Sequence, residues 1–123
     1  MLKVHAKNLG SVAVLCLRGR IVNGETEALR EAVNSQLNVS AVVLDLARVS
    51  TIDAAGLGVM LELREQTESK GVSFKLINVT RLVRRVLEIT RLDAVFVITS
   101  EAKELSAISQ GPQALVAKFA ACV

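Results

Sequence analysis

The sequence predicts an α/β fold, a single domain built on a mixed, mostly parallel central sheet with about four to five helices. Three observations carry this. Short apolar runs recur at 12–17, 42–46 and 95–98, and 72–77 sets Phe74 and Leu76 on one face, each segment of strand length and too short for a helix. Amphipathic stretches with helical period fall between and after them, the pattern of alternating units around a parallel sheet. The opening segment instead alternates strictly and is followed by a turn, which predicts a hairpin in place of a crossover.

Residues 2–7 set Leu2, Val4 and Ala6 against Lys3, His5 and Lys7, a half-exposed strand near an edge. Asn8-Leu9-Gly10-Ser11 is a turn, and 12–17 is a strand covered on both faces. Residues 19–24 read as a loop, with Asn23-Gly24 as its turn signal. A helix follows over 25–36, with Leu29, Ala32 and Val33 inward and Glu25 and Glu27 favourable to its N-terminal dipole. The run 42–46 is the central strand, closed by a short polar break. The helix over 55–70 is apolar nearly all round in its first half and charged in its second, so it enters buried and emerges into water, ending at Gly71. After the strand at 72–77, Asn78 is placed to cap a helix, with Ile77 and Leu82 as a hydrophobic staple. That helix turns Val83, Val86, Leu87 and Thr90 inward and Arg81, Arg84, Arg85 and Glu88 outward. A short strand at 95–98 precedes a helix capped by Ser100. Gly111-Pro112 breaks it, and Pro112 opens a last helix with Leu115, Val116 and Phe119. The organisation is one domain over 1–123, with 108–123 a C-terminal helical extension.

Composition narrows the function. The 123 residues are 51% hydrophobic, with no Trp or Tyr and three Phe, so the core is aliphatic. A net charge of +3 comes from a small excess and not a basic tract, and with so few aromatics there is no signature of nucleic-acid binding. Cys16 reads as a buried thiol and Cys122 as an incidental tail thiol; their spacing makes neither a metal motif nor a redox C-x-x-C pair. No signal-peptide pattern opens the chain, and no apolar run approaches the ~18 residues of a membrane span. The expected location is cytoplasmic, with no cofactor and no direct membrane insertion.

No catalytic set assembles. His5 is the single histidine and has no second metal-ligating group beside it, no G-x-x-x-x-G-K-[ST] loop is present, and Asp45, inside an apolar strand, serves backbone hydrogen bonding better than acid–base chemistry with Asp53. The expectation is that the chain is not an enzyme. The exposed Arg81, Arg84 and Arg85 read first as a solvated face. The informative stretch is 42–58, VVLDLARVSTIDAAGLG, in which a buried strand feeds Asp53-Ala54-Ala55-Gly56-Leu57-Gly58 at the start of a long helix. A helix start of this kind offers backbone N–H groups and a positive dipole end to a phosphate or to a partner.

The block 41–98 resembles the STAS domain, the fold shared by bacterial anti-sigma factor antagonists and the cytosolic tails of sulphate transporters. Antagonists carry D-S-S-G-L-G after an apolar strand, where this chain has Asp53-Ala54-Ala55-Gly56-Leu57-Gly58. Gly71 to Leu76, Asn78-Val79, Val83 to Leu87 and Leu92 to Phe96 also fit, and Leu17-Arg18-Gly19 is similar to the family's strand-end L-x-G. The resemblance extends over about 1–108 and implies a binding protein. Family antagonists engage an anti-sigma factor that is a serine protein kinase, and phosphorylation of the second Ser of D-S-S-G ends the interaction. That Ser aligns with Ala55, which offers no oxygen, so the chain is expected to be non-phosphorylatable there. Its implied partner surface comprises Asn23, Thr51, Asp53, Ala55, Gly56, Leu57 and Gly58, with Ser50 and Thr51 as alternative phosphosites. The family's acidic G-E-L-D also departs, to Gly19-Arg20-Ile21-Val22. The leading reading is an antagonist-like module for regulation of transcription through protein–protein signalling. The alternative is a STAS subunit or scaffold of a membrane transport or larger signalling assembly. An enzyme or nucleotide hydrolase stands only as a contrast.

Overall fold

In a computed structural model, which describes residues 1–100 together with Cys122, the elements are β1 (Lys3–Leu9), β2 (Val12–Ile21), α1 (Glu27–Asn34), β3 (Ala41–Ile52), α2 (Ala54–Ser69), β4 (Ser73–Ile77), α3 (Arg81–Ile89), a 3₁₀ turn (Leu92–Ala94) and β5 (Val97–Thr99). The strands form one sheet in the order β1-β2-β3-β4-β5. The described residues hold three α-helices in place of the four to five expected, because the helices assigned after Ser100, including the 108–123 extension, lie outside them. A mixed, mostly parallel sheet opening on a hairpin was expected, and the sheet is mixed. β1 pairs antiparallel with β2 along its whole length, because the turn at Gly10, with φ 65°, folds the chain straight back, while β2 to β5 run parallel to their neighbours.

Side-chain alternation gives the sheet two faces. Leu15, Leu17, Val42, Leu44, Leu46, Phe74 and Leu76 point to one, where Leu29, Val33, Leu57, Met60, Leu63, Val83 and Leu87 of the three helices close the main core. The Phe74 and Phe96 rings meet there, tilted, with centroids 6.2 Å apart. Val14, Val43 and Ile77 point to the other face and form a second, smaller cluster.

β2 and β3 run further than the apolar runs indicate. The stretch expected to be loop and polar break instead pairs Arg18 with Arg48, Gly19 with Val49, Arg20 with Thr51 and Ile21 with Ile52, through two register shifts. Partnered backbone holds these residues in strand although many of their side chains face water. Ser50 and Thr51 therefore sit on a strand end. The expected cap of α3 is also corrected. Thr80 accepts from Val83 N at 3.3 Å, while Asn78 has φ 54° and donates Nδ2 to Asp45 Oδ2 at 3.2 Å. The staple does not form, because Ile77 faces the second cluster and Leu82 is exposed.

The two cysteines are not the separate thiols the sequence implied. Cys16 and Cys122 are joined in a disulfide, with Cα atoms 5.6 Å apart across 106 residues of chain. Cys16 is directed to the second face of the sheet, where Cys122 reaches it.

Candidate functional site

The site is built where β2, β3 and α2 meet. β3 ends at Ile52, and Asp53 takes extended backbone (φ −113°, ψ −176°) as the N-cap of α2. Its Oδ1 accepts from Gly56 N at 2.8 Å, and its Oδ2 accepts from Asn23 N at 3.0 Å. Its own N–H donates to Ile21 O at 3.3 Å. One carboxylate thus fastens the helix start to the loop after β2. The Asn23 N–H first, and the Gly56 N–H second, hold the Asp53 carboxyl below the usual aspartate range. The Gly56 N–H of this helix start is taken up by the chain's own carboxylate and is not open to an external anion.

Gly56 fixes how closely the helix sits. A Cβ there would lie 1.9 Å from Ile21 O and 2.8 Å from Ile21 C. Only a glycine lets the first turn of α2 rest on the backbone of β2. Gly58 differs: a Cβ there would meet nothing within 4 Å.

The sequence-derived residues separate by exposure. Asn23, Ala55 and Gly58 are exposed, Thr51 and Asp53 half-buried, and Gly56 and Leu57 buried, with Leu57 in the main core. Ala54, which aligns with the first Ser of the family motif and was not placed on the implied partner surface, is exposed beside Ala55. The outer side of the helix start is thus a strip of small residues, Ala54, Ala55 and Gly58. Gly56, Leu57 and Asp53 act beneath it by setting its position. Ser50 is exposed and its Oγ donates to Gly19 O at 3.3 Å; Thr51 pairs in register with Arg20.

Two residues were missed. Ile21 is the floor on which Gly56 rests, hidden because the strand was expected to end near Leu17. Glu25 is ion-paired with the Met1 amine at 2.8 Å and accepts from Arg20 at 3.0 Å, and its carboxyl is held low chiefly by that amine. Arg20, where the resemblance led to an acid, is therefore ion-paired with an acid five residues on. The Arg81, Arg84 and Arg85 face lies on α3, outside this assembly of residues. Among the described residues no group of three or more His, Cys, Asp or Glu is placed to hold a metal ion. None of their helices is long and apolar enough to cross a membrane.

Comparison with known proteins gives a match to the model of the STAS domain over residues 3–105. Among solved structures, an anti-sigma factor antagonist from Mycobacterium paratuberculosis is 22% identical, with 88% of this chain and 94% of that one covered at a TM-score of 0.74. A sulfate transporter family protein from Wolinella succinogenes is 20% identical, with 90% and 93% covered at a TM-score of 0.71. The phosphorylated form of the Bacillus cell fate determinant SpoIIAA is 18% identical, with 87% and 100% covered at a TM-score of 0.66. At these identities the likeness is one of fold.

Proposed function

Since this chain belongs to the STAS domain family, we propose that it is an anti-sigma factor antagonist-like binding module, not an enzyme, that docks a serine-kinase anti-sigma factor in the cytoplasm through the start of α2. The observation that carries this reading is the exposed Ala54, Ala55 and Gly58 strip on a helix start locked by Asp53 and Gly56. Rigid backbone with small side chains allows a partner to approach closely while losing little conformational entropy on binding. The acceptor serine of family antagonists aligns with Ala55, so the kinase partner has no hydroxyl to modify at this position. Binding is then constitutive, and any phospho-control falls to Ser50 or Thr51.

The test compares the wild-type chain with Ala55→Glu as baits in cytosolic extract, with mass spectrometry of what each retains. The reading predicts that the wild type retains an ATP-binding serine kinase. It predicts that Glu at 55 weakens binding by about 1–3 kcal/mol, roughly 5- to 150-fold, by placing a carboxylate in a desolvated contact. Circular dichroism checks the fold, which an exposed acid near a helix N-terminus should leave intact. A transport protein retained equally by both baits would replace this reading with the transport-assembly one.

A further inference from the structure

We propose that Cys16 and Cys122 form a reversible thiol–disulfide site, opened by a vicinal dithiol, that fastens Cys122 to the apolar cluster on the second face of the sheet. The inference stands apart from the docking surface at α2. Three observations carry it. The Cα atoms lie 5.6 Å apart, inside the range a disulfide spans without backbone movement. Cys16 points away from the three helices, toward Val14, Val43 and Ile77, whose exposures are 5%, 1% and 3%. Cys122 is the one described residue from outside the sheet that packs on this cluster. The bond therefore holds Cys122 against an apolar cluster on the face of the sheet opposite the three helices.

Strand register gives the site its chemical surroundings. His5 is directly opposite Cys16 on β1, and Asp45 is its partner on β3, followed by Ile77 on β4. Lys3, Lys7, Arg18 and Lys75 occupy positions of the same alternation on this face. His5 is exposed and Asp45 buried. In the opening step a thiolate of the dithiol attacks Cys122 Sγ, and the S–S bond breaks with the electron pair leaving on Cys16 Sγ. That sulfur emerges between His5 and Asp45 and is protonated. The second thiol of the reagent then attacks the mixed disulfide and releases Cys122. Two electrons pass from the dithiol, which leaves as a cyclic disulfide, and the protein holds two thiols. In a reducing cytosol such bonds are typically transient and redox-sensing, and in an oxidising compartment they persist.

The test uses the full chain purified without reductant and exposed to oxidised glutathione. Iodoacetamide in denaturant should modify neither cysteine, and the mass should lie about 2 Da below that of the reduced chain. Peptide mapping should join Cys16 to Cys122. Dithiothreitol should free both thiols, lower the melting temperature by about 6–20 °C, and speed amide exchange in β2 and β3 around Val14 and Val43. Fresh oxidised glutathione should restore the bonded monomer. Cys122→Ser should show the fast exchange with or without dithiol. Two alkylated cysteines after oxidation, disulfide-linked dimers in place of the bonded monomer, or equal exchange in bonded and reduced chains would each overturn the proposal.

Discussion

A single methyl group on Gly56 tests how the site is held. Its Cβ would fall 1.9 Å from Ile21 O, 2.8 Å from Ile21 C and 3.0 Å from Ile21 Cγ2. The obstacle is backbone paired to β3, and Ile21 O also accepts from Asp53 N, so no rotamer change relieves the clash. α2 must rise by more than an ångström or β2 must bend. Overpacking costs about 1–3 kcal/mol when side chains can yield and more when backbone must move. Replacing a helical glycine by alanine returns roughly 1 kcal/mol. The net loss for Gly56→Ala is about 2–4 kcal/mol. At roughly 3–5 °C per kcal/mol for a chain of this size, the melting temperature falls by about 6–20 °C. Gly58→Ala is the matched control. It lies in the same turn, has open space at Cβ, and should gain about 0.5–1 kcal/mol from helix propensity alone. Urea and thermal unfolding of both variants measure the contrast. If Gly56→Ala were as stable as Gly58→Ala, the account of α2 resting directly on β2 would be refuted.

The Asp53 carboxyl is held low in the folded chain, so its contribution is present above the unfolded aspartate value near 4 and is lost as pH falls through the lower folded value. Asp53→Asn can still cap the helix but carries no charge; its stability deficit should be full at pH 6 and shrink toward pH 2 in thermal melts, whereas a constant deficit would contradict the charge argument. Asp45 Oδ1 accepts from Ala47 N at 3.0 Å, and its Oδ2 takes the Asn78 amide at 3.2 Å. Asp45→Ala leaves both donors behind and should cost about 1–3 kcal/mol in urea unfolding, with Asp45→Asn costing less. Ala55→Ser places a hydroxyl on the exposed helix start. It should bind as the wild type does and accept phosphate from the partner kinase and ATP, while the wild type stays unmodified over 53–58; phosphate on wild-type Ser50 or Thr51 would identify a different acceptor.

The sequence shows local pattern well and non-local commitments poorly. Strict alternation in 2–7 and unbroken apolar character at 12–17 and 42–46 mark three strands, because each side chain's environment follows from its neighbours in the chain. The continuation of β2 through Gly19 to Ile21 and of β3 through Ser50 to Ile52 does not, because only their pairing with each other makes them strands. Asn78 and Thr80 are equally good caps by type. Asp45, 33 residues earlier, decides between them by taking the Asn78 amide. The disulfide depends on a partner 106 residues away and leaves no local trace. At the site, Asp53 and the glycines are legible as a helix start. The different duties of Gly56, pressed on Ile21, and Gly58, open to solvent, require the third dimension.

The central claim is that the start of α2 is a protein-docking surface. Amide chemical-shift mapping of the ¹⁵N-labelled chain, titrated with the serine kinase that the wild-type bait retains, tests it most directly. The account predicts perturbations concentrated at Asn23, Ala54, Ala55 and Gly58, and their loss at the same kinase concentration in Ala55→Glu. Perturbations confined to Arg81, Arg84 and Arg85 on α3, with the α2 start unmoved, would contradict it.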